Sequence, residues 1–284
     1  MKKFLSLLLA LTLALSLAAC GTSNTPAASG SGSASGDDAE PITLVVFAAA
    51  SMTETLTEIA GNYKTVAPNV TLCFNFASSG KLLTQIEEGA LCDLFISAAP
   101  KQMNALDGSL KDDAEKNPNG QDMLLEGSRL NLLENKVTLA VPEGNPKGIE
   151  SFDQLADLLQ NGEVMLAIGN SDVPVGQYTQ KIFAFYGIDE AAITDKLTYG
   201  NNVKEVTTQV TEAAADCGII YATDAFSAGL TVVDSATAEM CGQVIYPAAV
   251  LKDGQTEAAQ AFLDYLQTEE AMAVFRSVGF SPAN

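Results

Sequence analysis

The chain runs to 284 residues and carries 35 acidic side chains against 15 basic ones, with no histidine. No basic stripe stands ready to neutralise phosphates, so a nucleic-acid partner is excluded. Without histidine, Ser-His-Asp and Cys-His catalysis are unavailable and zinc loses its commonest ligand, so no enzyme, metal site or cofactor is expected.

The elements begin with an address. Lys2 and Lys3 precede an apolar run from Phe4 to Leu17, and Leu17-Ala18-Ala19-Cys20 sets two small residues before a cysteine. This is the pattern of a secretory signal peptide over residues 1–19. Its ending is similar to the bacterial lipobox, which implies cleavage before Cys20, a lipid on the Cys20 thiol, and an extracytoplasmic protein held to the cell membrane by that anchor alone. Residues 20–40 are rich in Ser, Gly and Ala, too poor in apolar surface to fold, and reach about 25 Å as a random coil. No later run of about 18 apolar residues follows, so no membrane span is expected. Cys73, Cys92, Cys217 and Cys241 remain, as up to two disulfides or as buried thiols; their spacing leaves both open.

From residue 41 onward, apolar runs alternate with helix-period segments. Ile42–Ala50 reads as a strand, and a helix follows with Met52, Leu56, Ile59, Ala60 and Tyr63 on one face. Val70–Ser78 is a second strand, before a helix carrying Leu82, Leu83, Ile86 and Ala90. Asp93–Ala99, Val137–Pro142, Val164–Asn170, Gly218–Asp224 and Val244–Leu251 complete the strands. Asp107–Gly127 is polar and turn-rich, and so is mostly surface loop or a short polar helix. Near-continuous apolar strands separated by helices predict an α/β fold with mostly parallel sheets covered on both faces.

In such sheets ligands bind beyond the carboxyl ends of the strands, where helices begin. Four junctions stand out. Phe47-Ala48-Ala49-Ala50-Ser51 opens the first helix, with Ser51 and Glu54 spaced as a capping box. Asn75-Phe76-Ala77-Ser78-Ser79-Gly80-Lys81 opens the second. Gly169 to Tyr178 contains Pro174, suited to a first helical turn, and Gly176. Gly200-Asn201-Asn202-Val203-Lys204 offers Asn202 as an N-cap. Beside them, Tyr221 ends an apolar strand. The Ser78-x-x-Lys81 spacing of penicillin-recognising acyl enzymes is present without its companion motifs and is set aside. Each junction alone reads as a helix cap or an ordinary turn. Together, in two α/β halves, they suggest helix N-termini converging on one anion held by neutral donors.

The motifs Val-Phe-Ala-Ala-Ala-Ser-Met-Thr, Phe-Ala-Ser-Ser-Gly, Ala-Leu-Cys-Asp-Leu-Phe-Ile-Ser-Ala, Val-Pro-Val-Gly-Gln-Tyr, Asn-Val-Lys and Gly-Ile-Ile-Tyr-Ala-Thr-Asp-Ala follow one another from Ile42 to Phe280. In this order and spacing the chain resembles the molybdate-binding proteins of bacterial molybdate ABC importers. The resemblance implies a type II periplasmic-binding-protein fold, with two lobes joined by crossing strands: residues 41–142 and 229–284 in one, residues 143–228 in the other. It implies capture of molybdate or tungstate, or failing these another tetrahedral oxyanion such as sulfate or phosphate, and delivery by a monomer to the permease subunits. The oxyanion contacts it implies are Ser51 and Ser79 through hydroxyl and backbone N–H, Val175 and Val203 through backbone N–H alone, and Tyr221 through its phenol. Two residues depart from the family pattern: Val175 replaces a frequent alanine, and Gly80 a common third serine. The run from Phe262 to Phe280 resembles the family's closing helix.

Overall fold

The computed structural model describes residues 40–283. The expected signal peptide, Cys20 and all of the tether before Glu40 lie outside them.

The chain opens with β1 (Ile42–Ala49), a 3-10 turn (Ala50–Met52), α1 (Thr53–Val66), β2 (Val70–Ala77), α2 (Ser79–Glu87), β3 (Leu94–Ile96), α3 (Pro100–Asn104) and β4 (Leu130–Asn135). It then crosses into β5 (Val137–Val141), α4 (Phe152–Gln160), β6 (Leu166–Gly169), α5 (Pro174–Tyr186), β7 (Leu197–Gly200), α6 (Val203–Thr211), β8 (Cys217–Tyr221), α7 (Ala222–Ala228) and β9 (Thr231–Ser235). It returns through α8 (Ala238–Cys241), β10 (Val244–Val250), α9 (Thr256–Leu266), α10 (Glu269–Ser277) and β11 (Ser281–Pro282).

Two sheets result, ordered β11-β4-β10-β3-β1-β2 and β7-β6-β8-β5-β9. In the first, β1 pairs in parallel with β2 and β3, and β10 runs against β3 and β4. In the second, β6 is parallel to β7 and β8, and β5 runs against β8 and β9, so the α/β fold is as expected but both sheets are mixed rather than mostly parallel, because the strands that cross between lobes enter antiparallel. The carboxyl ends of the parallel strands therefore deliver chain to the helix starts singled out by the sequence. The expected lobe limits at 142 and 229 need correction: β5 and β9 hydrogen-bond into the second sheet, so the crossings fall at Lys136 and at residues 236–243.

The period-2 alternation of β1 shows why its run is apolar throughout. Leu44, Val46 and Ala48 are buried in the main core with Leu56, Ile59 and Tyr63 of α1, while Val45 and Phe47 join a second cluster with Leu82, Ile86, Phe95 and Met103. A sheet covered on both faces has no polar side to show. In the second lobe, α4 presents Phe152, Leu155, Ala156 and Leu159 at helical spacing, all buried, behind the Ser151 cap.

Three expected spans change. Gly218–Asp224 is strand only to Tyr221, and α7 starts at Ala222. Phe262–Phe280 is not one helix: α9 stops at Leu266, and Thr268 caps a new helix by accepting from the Ala271 N–H. Asp93–Ala99 is strand only from Leu94 to Ile96. Cys73, Cys92, Cys217 and Cys241 are all free thiols. Burial pushes the thiols of Cys92 and Cys217 up to about 12, so neither forms a reactive thiolate at neutral pH. Among the described residues no helix is long and apolar enough to cross a membrane.

Candidate functional site

Between the two lobes lies a small cavity, lined by Ala49, Ala50, Ser51, Ala77, Ser78, Ser79 and Ala98 from the first and Val173, Pro174, Val203 and Tyr221 from the second. Its walls carry hydroxyls and small or apolar side chains, and no charge. Four of the five anticipated residues, Ser51, Ser79, Val203 and Tyr221, meet here from opposite lobes. Val175 is fully buried as the second residue of α5, and the wall beside it is formed instead by Val173 and Pro174.

The hydroxyls are arranged as donors. Ser79 is wholly buried, and its Oγ accepts from the Ala98 N–H at 3.0 Å, which leaves its own proton free. It is not the helix cap: that role belongs to Ser78, whose Oγ accepts from the Lys81 N–H. Ser51 is not a cap either. The capping box expected with Glu54 is absent, because Ser51 sits inside the 3-10 turn and α1 begins after Met52 with no side-chain cap. Its Oγ lies 2.9 Å from the Tyr246 hydroxyl instead.

A chain of partners stands behind that bond. Asn135 Oδ1 accepts from the Lys136 N–H at 2.8 Å, which turns its amide nitrogen toward Thr223 Oγ1 at 2.9 Å and the Tyr246 oxygen at 3.3 Å. The Tyr246 oxygen thus accepts from Asn135 and shares one further proton with Ser51 Oγ, which either hydroxyl can give. Tyr246 and Asn135 were not anticipated. Tyr246 lies in a strand that read simply as core and Asn135 at the end of a strand that was not expected, and only tertiary folding brings Tyr246 to Ser51.

Tyr221 is 1 % exposed, and its hydroxyl has no hydrogen-bond partner. The ring is packed edge-on against Tyr178 and Tyr246, with centroids 6.4 Å and 5.7 Å away. Burial, reinforced by Tyr246, Tyr178 and Asp224, holds its pKa well above the usual tyrosine value, so the phenol keeps its proton. A buried polar atom without a partner normally costs free energy, and this one borders the cavity.

Backbone donors add to the set. α2, α5 and α6 all begin at the cavity wall, and the first-turn N–H groups of a helix have no intrahelical acceptor. Asn202 caps α6 as expected, its Oδ1 accepting from the Glu205 N–H at 3.0 Å. The helix dipoles place partial positive charge where these ends meet.

The nearest lysine is otherwise engaged. Lys204 Nζ stands 2.7 Å from Glu54 of the first lobe and 3.2 Å from Asp224 Oδ1 of its own. The contact with the fully buried Asp224 is an ion pair. Burial pushes the Asp224 carboxyl up to about 6 against the pull of Lys204. Burial also opposes charge on Lys204, but Asp224 and Glu54 outweigh it and hold its pKa above the ordinary lysine value. The lobes also touch where Gln102 Nε2 donates to Gln177 Oε1 at 3.3 Å.

Comparison with known proteins identifies the family. The family model described as bacterial extracellular solute-binding protein matches residues 44–281. YvgL of Bacillus subtilis, whose name provisionally places it among ABC transporter substrate-binding lipoproteins, is 33% identical over 254 residues, 87% of this chain and 89% of its own. The molybdate-binding protein ModA of Haemophilus influenzae is 34% identical over 242 residues, 84% of this chain and 89% of its own. The structure of the Azotobacter vinelandii periplasmic molybdate-binding protein superposes with a TM-score of 0.70 at 21% identity, covering 85% of this chain and all of that one, and shares the fold. The two-lobed α/β architecture expected of a type II periplasmic binding protein is thus the one observed. Members of this family bind solutes for transport rather than transform them. The chain belongs to the bacterial extracellular solute-binding proteins, as a relative of ModA, and is the extracytoplasmic solute-binding component of an ABC importer.

Proposed function

We propose that the cavity captures a fully deprotonated tetrahedral oxyanion, molybdate or tungstate, for delivery to the importer's permease subunits. The observation that carries this reading is the pair of buried hydroxyls on Ser79 and Tyr221, each left with a proton to give and no protein acceptor to take it, with the Ser51 hydroxyl beside them on the cavity wall. Hydrogen bonds to an ion are about twice as strong as those between neutral groups, so neutral donors in a buried site suffice for a dianion. The names of the ModA relatives point to the same ligand. Sulfate satisfies the same donors and is the competing reading. Phosphate fits less well: at neutral pH it retains a proton that needs an acceptor, and no carboxylate lines the cavity.

Calorimetric titration with molybdate, tungstate, sulfate and phosphate tests the reading. Molybdate and tungstate are expected to bind most tightly, with no turnover of any of the four. Ser79→Ala is expected to weaken binding ten- to hundredfold, since a hydrogen bond to a charged group is worth about 1.5–3 kcal/mol. Ser78→Ala should instead cost about 1 kcal/mol of stability, as a lost helix cap, and keep most of the affinity. Tighter sulfate than molybdate binding, or equal affinity in the two serine variants, would refute the proposal.

The lipobox ending at Cys20 and the lipoprotein name of YvgL support the further reading that the mature chain is anchored through a lipid on Cys20. Cys20→Ala should then leave the membrane fraction on cell fractionation. Retention of that variant in the membrane would contradict an anchor at this residue.

A further inference from the structure

At the mouth of the cavity the two lobes meet backbone to backbone. Gly80 is the second residue of α2, and Asp172 lies in the turn before α5 in the other lobe. A Cβ built on Gly80 would stand 2.2 Å from the Asp172 carbonyl oxygen, 3.0 Å from its carbonyl carbon and 3.2 Å from its Cα. Local conformation does not ask for glycine here: the residue is helical, with no positive φ. In a helix glycine costs about 1 kcal/mol relative to alanine, so α2 by itself would be better served by almost any other residue. What the glycine permits is the approach of Asp172. The obstructing atom is a main-chain oxygen, so no side-chain rotation at Asp172 would relieve a Cβ.

We infer that Gly80 determines how far the lobes close, and hence the size of anion the cavity grips. The inference rests on the reading of the cavity as an oxyanion site. Gly80 adjoins Ser79 and Asp172 adjoins Val173, and both of those neighbours line the cavity from opposite sides. Spacing at the mouth is therefore transmitted directly to the walls. To admit a Cβ, Asp172 must retreat by close to an ångström from the 2.2 Å it would otherwise occupy. The useful range of a hydrogen bond spans only about 0.5 Å. An anion held by Ser51 and Ser79 on one side would then lose Val203 and Tyr221 on the other. The loss is greater for a smaller anion than for a larger one, which bridges more of the widened gap.

The test compares wild type, Gly80→Ala and Gly61→Ala. Gly61 is a control because it too lies in a helix, and a Cβ there meets nothing within 4 Å. Titration with molybdate and sulfate is paired with urea unfolding without anion and with small-angle X-ray scattering. Gly80→Ala is expected to lose at least tenfold in molybdate affinity and more in sulfate affinity, to unfold at the same urea concentration as wild type or higher, and to remain expanded in molybdate where wild type contracts. Gly61→Ala should match wild type in affinity and scattering. Unchanged affinity in Gly80→Ala would overturn the inference, as would an affinity loss accompanied by earlier urea unfolding. If wild type binds none of the anions, the oxyanion reading fails, and scattering alone then judges closure: a curve for Gly80→Ala identical to that of wild type would reject the inference, and a more expanded one would uphold it.

Discussion

Tyr221→Phe is expected to weaken oxyanion capture ten- to hundredfold while leaving the anion-free protein as stable as before, or more so. The two halves of this result have one cause. The hydroxyl is buried and meets no partner within the protein. Keeping such a group out of water costs about 1–3 kcal/mol, so its removal relieves the fold. The same hydroxyl, donating to a dianion, would contribute about 1.5–3 kcal/mol to binding. The ring remains, and with it the edge-on packing on Tyr178 and Tyr246. If the phenol served only the core, the variant would keep its affinity. Calorimetric titration and anion-free unfolding curves, measured on one preparation, decide the matter: unaltered affinity removes Tyr221 from the site, and a loss of stability shows that its hydroxyl has a structural partner.

The second large effect is expected at Gly176. Here β6 turns sharply into α5, and a Cβ on Gly176 would lie 2.2 Å from the Asn170 oxygen and 2.3 Å from the Gly169 oxygen. The partner position is as tight, since a Cβ on Gly169 would meet the Gly176 nitrogen and the Val173 Cβ, both at 2.9 Å. Neither glycine has a positive φ, so closeness and not conformation excludes a side chain. Overpacking against main chain usually costs 1–3 kcal/mol and sometimes more; with two carbonyl oxygens in the way, Gly176→Ala should cost about 3 kcal/mol. For a domain of this size that lowers the melting temperature by roughly 6–12 °C. Relief requires α5 to move away from β6, which carries Val173 and Pro174 out of the cavity wall and abolishes binding. A Gly176→Ala protein with the melting temperature and affinity of wild type would show that the turn is far softer than its geometry implies.

The sequence disclosed these two sites unequally, for physical reasons. Strands buried on both faces, such as β1, β6 and β8, announce themselves as unbroken apolar runs. β4, β7 and β9 do not: Leu130–Asn135, Leu197–Gly200 and Thr231–Ser235 are short or mixed, and take their pairing from neighbours already in place. Helix starts at Ser79, Pro174 and Val203 were legible because capping and first-turn chemistry are local. What a serine does at such a start is not local. Ser51 has the spacing of a cap and makes none, because the hydroxyl that engages it belongs to Tyr246, 195 positions away. Likewise the reason for Gly80 lies in the opposite lobe. The resemblance to molybdate-binding proteins supplied the residues of the candidate site; the structure supplied the donors' free protons, the Asn135–Tyr246 support and the Glu54–Lys204–Asp224 bridge.

The two crossings between the sheets lie side by side. Asn135 pairs with Val244 on one side of them, and the Ala236 N–H donates to the Val137 oxygen at 2.9 Å on the other. Two strands laced together in this way make a strap, stiff against sliding and twisting and compliant in bending. A bend about such a strap displaces atoms in proportion to their distance from it. Asn135 sits on that axis with Thr223 and Tyr246 in its grip, so any bend about it moves the support behind Ser51 least. The protein is in this sense a pair of tongs, with its grip prepared near the pivot.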